Sequence, residues 1–370
     1  MKIVADQKIP FLEGVFTGSA TLIALPAKEI TPEVVHDADA LLTRTTIHCT
    51  EHLLNNSSVR FISTCTIGYD HIDTRYCKEH GIQWQNAPGC NAGSVGEYFA
   101  GVIAALTQYK SYNFKDKTVG IVGVGNTGKA VLNVCNALGI KTLLNDPPRA
   151  RAEKENSSFV SLDTIASECD VITFHVPLYK EGEDKTLHLA DTNFFSKLKK
   201  QPLIINACRG PVIDNTALYE AKQNGLISDY VLDCWEKEPE INPELLKDCA
   251  IATPHIAGYS YDGKSKATRM GVEAIANFFH ININTSGIVP PAPEKPVIDL
   301  SAFDANPIEQ AILHAFDPME KDAIMRSMPD KFEWMRTHYK HPREFLAYTV
   351  INCPPSLQRI FQELGFNIES

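Results

Sequence analysis

Val119-Gly120-Ile121-Val122-Gly123-Val124-Gly125-Asn126-Thr127-Gly128 is the stretch that decides how this chain is read. A short apolar run leads straight into a Gly-x-Gly-x-x-Gly loop, and a helix-like segment from Lys129 to Leu138 follows it. Between a buried strand and a helix the three glycines have separate tasks. Gly123 makes a tight turn, Gly125 lets the backbone approach a pyrophosphate, and Gly128 permits close packing of helix on strand. The helix N-terminus then offers unpaired N–H groups and the positive end of the helix dipole to phosphate. A purely structural tight turn is the competing reading, and the flanking strand and helix favour the dinucleotide loop.

A dinucleotide fold also places an acid about 20 residues on, at the end of the next strand. Lys141-Thr142-Leu143-Leu144-Asn145-Asp146 supplies it, and Pro147-Pro148 stops the strand. Asp146 can accept hydrogen bonds from the adenosine ribose, or serve as an ordinary strand-end turn residue. Combined with the glycine loop, the cofactor reading is preferred. A carboxylate there repels a 2′-phosphate, so NAD is expected rather than NADP, although Arg149 and Arg151 lie close by in sequence.

The rest of the chain fits an α/β protein of two or three domains. Before the loop come short apolar runs at 3–5, 21–25, 40–43, 60–63 and 82–84, which read as a parallel sheet with intervening helices. Residues 94–108 are apolar at helical spacing and predict a long helix leading into the dinucleotide domain. Further runs at 171–174, 203–206, 230–233 and 250–253 bring that domain to six strands. Residues 287–296 are proline-rich and predict an extended, semi-rigid linker, after which a strand at 297–300 and several amphipathic helices form a small third domain. About 75 residues are marginal for independent folding. Ile308, Ala311, Ile312 and Phe316, with Phe332, Trp334 and Met335, form an apolar face that must be covered. A twofold-related copy is the expected cover, with packing onto its own chain as a third wall of the core the alternative.

Composition narrows the function. A net charge of −10 over 370 residues argues against nucleic acid or an anionic membrane as partner. No apolar run approaches bilayer length, and the N-terminus lacks a signal-peptide core. Ten cysteines are scattered without Cys-x-x-Cys pairs, which predicts reduced thiols in a cytoplasmic protein. Cys77 and His80 have loosely metal-like spacing with no second pair, so no metal site is expected.

Chemistry concentrates where strands end. Asn206-Ala207-Cys208-Arg209-Gly210 follows one strand, and its arginine can grip a carboxylate and carbonyl in two-pronged fashion or form a surface ion pair. Asp233-Cys234-Trp235-Glu236-Lys237-Glu238-Pro239 follows the next, and Thr253-Pro254-His255-Ile256-Ala257-Gly258 the last. Oxidising an alcohol by hydride transfer needs a base for the hydroxyl proton, a task suited to histidine. A carboxylate beside it, Glu238 or Glu236, would fix its orientation and raise its pKa.

The order glycine loop, Asn-x-x-Arg-Gly, Asp-x-x-x-x-Glu-Pro and Pro-His-x-x-Gly resembles the D-isomer-specific 2-hydroxyacid dehydrogenases. The resemblance implies a Rossmann-type dinucleotide domain inserted in a flavodoxin-like substrate domain. The implied boundaries are 1–92 with 257–286 for the substrate domain and 93–256 for the NAD domain. Residues 287–370 would then be a small α+β dimerisation domain and the protein a homodimer. Stretches at 1–6, 86–92, 145–150 and 255–260, with the closing Leu364-Gly365-Phe366, are similar to the branch of that family that carries such a domain. It also implies Arg209, Glu238 and His255 as the catalytic group, Glu238 being preferred because it directly precedes proline. His175, Ala207, Cys208, Arg209, Asp233 and Gly258 join the glycine loop and Asp146 as cofactor-lining positions. Thr45, Thr66 and Tyr259 fall at substrate positions, threonine at 45 standing where serine is usual. The resemblance leaves two other activities to weigh, a glycerate or phosphoglycerate type of dehydrogenase and a nonenzymatic NAD-sensing corepressor.

Overall fold

A computed structural model describes residues 1–154 and 157–369. The chain forms two compact units, Met1–Asn91 with Ser260–Pro291, and Ala92–Tyr259 with Ala292–Ser370.

The first unit is built on β1 (Lys2–Asp6), β2 (Thr21–Leu25), β3 (Ala40–Thr43), β4 (Phe61–Thr64) and β5 (Gln83–Gln85). All pairings are parallel, in the order β2-β1-β3-β4-β5, which is the flavodoxin-like arrangement. Alternation along each strand feeds two cores. Val4, Leu41 and Ile62 face one layer, while Ile3, Ala5, Ala40, Leu42 and Phe61 face the other. The returning helix Tyr261–Phe279 covers the second layer with Val272 and Ile275. Ser260 starts that helix by accepting a hydrogen bond from Gly263 N at 2.8 Å.

The second unit carries β6 (Thr118–Val122), β7 (Lys141–Asn145), β8 (Val171–Phe174), β9 (Leu203–Asn206), β10 (Asp229–Leu232) and β11 (Ile251–Ala252). They form a six-stranded parallel sheet in the order β11-β10-β9-β8-β6-β7. The common six-strand Rossmann order has a third strand beyond the second. Here β7 is the edge, because the described part of its connection to β8 holds only the helices Pro147–Glu153 and Leu162–Glu168. The chain therefore reverses direction across the sheet between β6 and β8, and the glycine loop sits at that switch point. The expected helix at 94–108 spans Ala92–Lys110 and is buried along most of its length.

The C-terminal segment adds β12 (Val297–Asp299), β13 (Thr349–Ile351) and β14 (Asn367–Ile368), a three-stranded parallel sheet, with helices Pro307–Ala315, Pro318–Ser327, Phe332–Thr337 and Pro355–Leu364. Its apolar face was expected to await a second copy, and the structure corrects this. Ala311, Ile312, Phe316, Phe345 and Phe361 share one continuous core with Val119, Ile121 and the helix Ala92–Lys110. Phe332 and Met335 enter the core on the other side of the Rossmann sheet. Polar ties add to this docking. Ala252 N of the edge strand β11 donates to Asp322 Oδ1 at 2.7 Å, and Arg326 donates to Asp322 at 2.8 Å and to the Cys249 carbonyl at 2.6 Å. A marginal 75-residue piece gains stability by completing a neighbour's core. Of the residues expected on that face, Trp334 remains exposed.

Phe316 packs against Gly101, where a Cβ would come within 2.8 Å of its ring. Phe316→Ala should cost about 3 kcal/mol. The expected outcome is a lower urea midpoint for the second unit and earlier proteolytic cleavage after Ala292. An unchanged midpoint would show that the segment contributes nothing to that unit's stability.

Candidate active site

The loop after β6 takes the shape its glycines require. Gly123 has φ 87°, open to glycine at little cost, and its N–H bonds the Asn145 carbonyl at 2.8 Å. A Cβ on Gly128 would lie 2.0 Å from the Gly123 carbonyl oxygen, so the third glycine is dictated by contact of loop with helix. Gly125 faces open space, with nothing within 4 Å of a notional Cβ. It caps the helix Asn126–Ala137 without a side-chain hydrogen bond, leaving the first-turn amides for an anion. These are the features a pyrophosphate needs.

Asp146 follows β7. Its Oδ2 accepts from Val124 N at 2.8 Å and its Oδ1 from Arg149 N at 3.1 Å, capping the helix Pro147–Glu153. The cofactor and turn readings are thus compatible, because a carboxylate has about four acceptor sites and only two are used. Arg149 is occupied by Glu153 and by the Val124 carbonyl, and Arg151 by Asp184. Both arginines that could have served a 2′-phosphate are engaged. His175, at the end of β8, stands beside the loop. Its ring is buried and bonds Thr173 Oγ1 through Nε2 at 2.8 Å. Burial drives its pKa down to about 3, so the ring is neutral, and among the described residues its buried Nδ1 has no partner.

The strand-end residues assemble around one carboxylate. Asp233 is fully buried and accepts from Thr253 Oγ1 at 2.6 Å, Ile256 N at 2.8 Å and Ala257 N at 2.9 Å. Its carbonyl takes the His255 N–H at 2.8 Å. Burial raises the Asp233 pKa, against the pull of His255, Thr253 and the two amides. Tyr98 OH lies 2.7 Å from Thr253 Oγ1, and Trp235 Nε1 donates to the Thr253 carbonyl at 2.9 Å. So held, His255 adopts φ 56°, a conformation that a non-glycine residue enters at a cost of roughly 1 kcal/mol.

His255 Nδ1 and Glu238 Oε1 are 2.5 Å apart, and Glu238 Oε2 accepts from Trp235 N at 3.2 Å. Burial alone would raise the Glu238 pKa. The His255 contact, the Trp235 amide and the charge of Arg336 together carry it below the usual range. Glu236, the rival, bonds His188 Nε2 at 2.7 Å and Asn215 N at 3.3 Å. Glu238 is the partner of His255.

Arg209 is exposed, and among the described residues its guanidinium bonds the Cys208 carbonyl, at 2.7 Å, with no carboxylate paired to it. The loop beneath is fixed by Asn206, whose amide donates to the Arg209 carbonyl at 3.0 Å. Gly210 is required because a Cβ would fall 1.9 Å from the Trp235 carbonyl oxygen. Ala207 is half-buried. The Cys208 thiol contacts Asn206 Oδ1 at 3.2 Å, and burial pushes its pKa up to about 11, so it is no nucleophile.

Gly258 and Tyr259 continue the His255 loop. Tyr259 receives a hydrogen bond from Arg336 Nη2 at 3.2 Å, a contact from the C-terminal segment that sequence reading missed. In the first unit, Thr45 is exposed after β3 and Thr66 follows β4. Thr66 Oγ1 bonds the Gly68 carbonyl at 2.8 Å and lies 2.7 Å from Thr64 Oγ1. Between Arg44 and Thr46, Thr45 is presented by its neighbours, both of which bond Asp6 at 3.2 Å.

Residues 96–257 match the D-isomer specific 2-hydroxyacid dehydrogenase NAD binding domain, and residues 290–365 match a domain of unknown function, DUF3410. The chain is 49% identical over 352 residues to the erythronate-4-phosphate dehydrogenase of Bacteroides thetaiotaomicron, covering 95% of this chain and 99% of that protein. With the Escherichia coli protein of that name the identity is 40%, covering 99% and 98%. The chain belongs to the erythronate-4-phosphate dehydrogenases, a branch of the D-isomer-specific 2-hydroxyacid dehydrogenases. Among solved structures, D-lactate dehydrogenase from Aquifex aeolicus with NAD and lactic acid is 26% identical. Its TM-score is 0.60, and the match covers 76% of this chain and 96% of that one. NAD-bound 3-phosphoglycerate dehydrogenase from Entamoeba histolytica is 27% identical at TM-score 0.62, covering 76% and 95%. Membership in these dehydrogenases makes NAD the cofactor.

Two like charges 4 Å apart at an effective dielectric of 20 repel by about 4 kcal/mol, an upper guide for Asp146 against a 2′-phosphate. Binding titrations should show strong preference for NAD over NADP, eroded in Asp146→Ala. Equal affinity of the unmodified protein for both would remove Asp146 as the discriminator.

Proposed function

We propose that this dehydrogenase oxidises 4-phospho-D-erythronate at C2, giving 2-oxo-3-hydroxy-4-phosphobutanoate, in the cytoplasmic synthesis of pyridoxal 5′-phosphate. The observation that carries the reading is the His255–Glu238 contact at a strand end, in a chain whose named relatives match it along almost its whole length; Arg209, which among the described residues has no carboxylate paired to it, follows a strand of the same sheet. Arg209 holds the C1 carboxylate and C2 oxygen. Because Nδ1 of His255 is engaged by Glu238, Nε2 is the nitrogen that takes the C2 hydroxyl proton. Glu238 stabilises the imidazolium that results. NAD, when bound at the glycine loop, supplies the hydride acceptor. Thr45, Thr66 and Tyr259 contact the substrate, with Arg44, Thr45 and the turn at Thr66 supplying anion-binding groups for its phosphate end. Among the described residues no helix is long and apolar enough to cross a membrane.

A turnover screen of phosphorylated and plain 2-hydroxy acids tests the reading. Phosphoerythronate should far exceed erythronate, glycerate and phosphoglycerate in kcat/KM. Equal performance by erythronate would disprove the phosphate assignment, and absence of any turnover would favour an NAD-sensing role. In the same assay His255→Ala should lose at least ~100-fold in kcat with NAD binding intact. Glu238→Gln should lose less and shift the acidic limb of the pH profile. Near-normal turnover by His255→Ala would take the histidine out of the mechanism.

We also propose that the protein is a homodimer joined through its C-terminal segment. The support is the family resemblance together with exposed Ile324, Trp334 and Leu346 on that segment. Light scattering at micromolar concentration should give twice the chain mass of 41.0 kDa. A monomer mass would refute the dimer.

A further inference from the structure

Tyr259 lies four residues beyond His255, and a cluster from the C-terminal segment closes around its ring. Arg336 donates to the phenol oxygen at 3.2 Å, with its guanidinium carbon 6.0 Å from the ring centre. His341 meets the ring edge-on at 5.7 Å and Tyr339 lies at 6.4 Å. Lys321 sits 5.9 Å over Tyr339. Arg336 also pairs with Glu333 at 3.0 Å, one turn back on its own helix. That pair is half-exposed and of the ordinary surface kind, worth little by itself. The bond to Tyr259, by contrast, runs to a residue 77 positions away in the loop that carries His255.

We propose that Arg336 is a positioning residue for the dehydrogenase reaction, orienting the Tyr259 phenol toward substrate and keeping a fixed positive charge near the His255–Glu238 pair of its own chain. The inference rests on the dehydrogenase reading above. Its geometry supplies two effects. Guanidinium has donors only, so Tyr259 must act as acceptor toward Arg336, and its own proton is directed elsewhere. A phenol polarised in this way is a stronger donor to an anionic substrate. The second effect is electrostatic. Arg336 acts on Glu238, helping to hold it ionised, and Glu238 acts on Arg336 in return. Among the described residues the charged groups that act on the pair are Asp233, on His255, and Arg336, on Glu238, and Arg336 is itself paired with Glu333 on the C-terminal helix. A cation there opposes protonation of the pair, so the base form persists to lower pH.

The test uses the full-length protein with 4-phosphoerythronate and NAD, comparing Arg336→Gln, Arg336→Lys and Tyr259→Phe. Arg336→Gln should raise KM by at least ~10-fold, the loss expected of one charge-assisted hydrogen bond. It should also move the acidic limb of kcat/KM upward by ~0.5 pH unit or more. NAD affinity, measured separately by fluorescence, should stay unchanged and shows that the unit is folded. Arg336→Lys should restore the limb while recovering KM only in part. Tyr259→Phe should raise KM and leave the limb in place. An Arg336→Gln protein with native KM and native pH profile overturns the proposal. So does a loss that Arg336→Lys shares fully in both readouts, since a retained charge should hold the limb. A wild-type chain inert on this substrate would bring down the dehydrogenase reading and this inference with it, whereas an active wild type matched by Arg336→Gln brings down the inference alone.

Discussion

The buried carboxylate of Asp233 is the interaction on which the catalytic half of the molecule depends. It has no access to water, and its charge is tolerable only because a hydroxyl and two amides converge on it while its own carbonyl takes a third amide. Those donors all belong to the turn from Thr253 to Ala257, so satisfying the carboxylate fixes the turn. His255 has no choice of backbone once its neighbours on both sides are committed, and its positive φ follows from that. Thr253 is held in turn by Tyr98 from the long helix and by the indole of Trp235. Trp235 also presents the amide that steadies Glu238. The His255–Glu238 pair is thus tied at both members to one network spanning two strand ends and a helix.

This arrangement explains which parts of the site could be read from sequence. The glycine loop was legible because its requirements are local: Gly123, Gly125 and Gly128 answer to one turn and one helix start. Arg209, Glu238 and His255 stood out as candidates because each follows an apolar strand in a fold that collects strand ends, and the structure brings Glu238 and His255 into contact. Residue reading alone left Glu236 and Glu238 open; the family pattern favoured Glu238, and the structure decides it through His188, a contact across 48 positions. Asp233 was marked as lining the cofactor, yet the contacts that give it its structural task lie 20 to 24 residues downstream and leave no local signature. Arg336 is the extreme case. Its helix has six residues, and its partner is 77 positions upstream.

Hydrophobic spacing was likewise legible as a pattern without an address. Ile308, Ala311, Ile312 and Phe316 announced an apolar face correctly, but periodicity cannot say what covers it. The cover is the helix Ala92–Lys110, about 200 residues earlier in a stretch whose own burial is nearly all-round. The edge of the Rossmann sheet behaves the same way. Strand β11 is two residues long and offers an unpaired amide, which Asp322 takes up from 70 positions downstream.

That last bond has a consequence for the order of events during synthesis. A ribosome releases the chain from its N-terminus, so all six strands of the Rossmann sheet emerge while Asp322 is still unmade. Through that interval β11 presents an open edge beside a core that lacks Phe316 and Met325, a surface prone to pairing with other strands. The turn that carries His255 begins with Thr253, the very next residue after this edge. Until the segment around Asp322 has been translated, the Ala252 amide and the core on either side of the sheet stay uncovered.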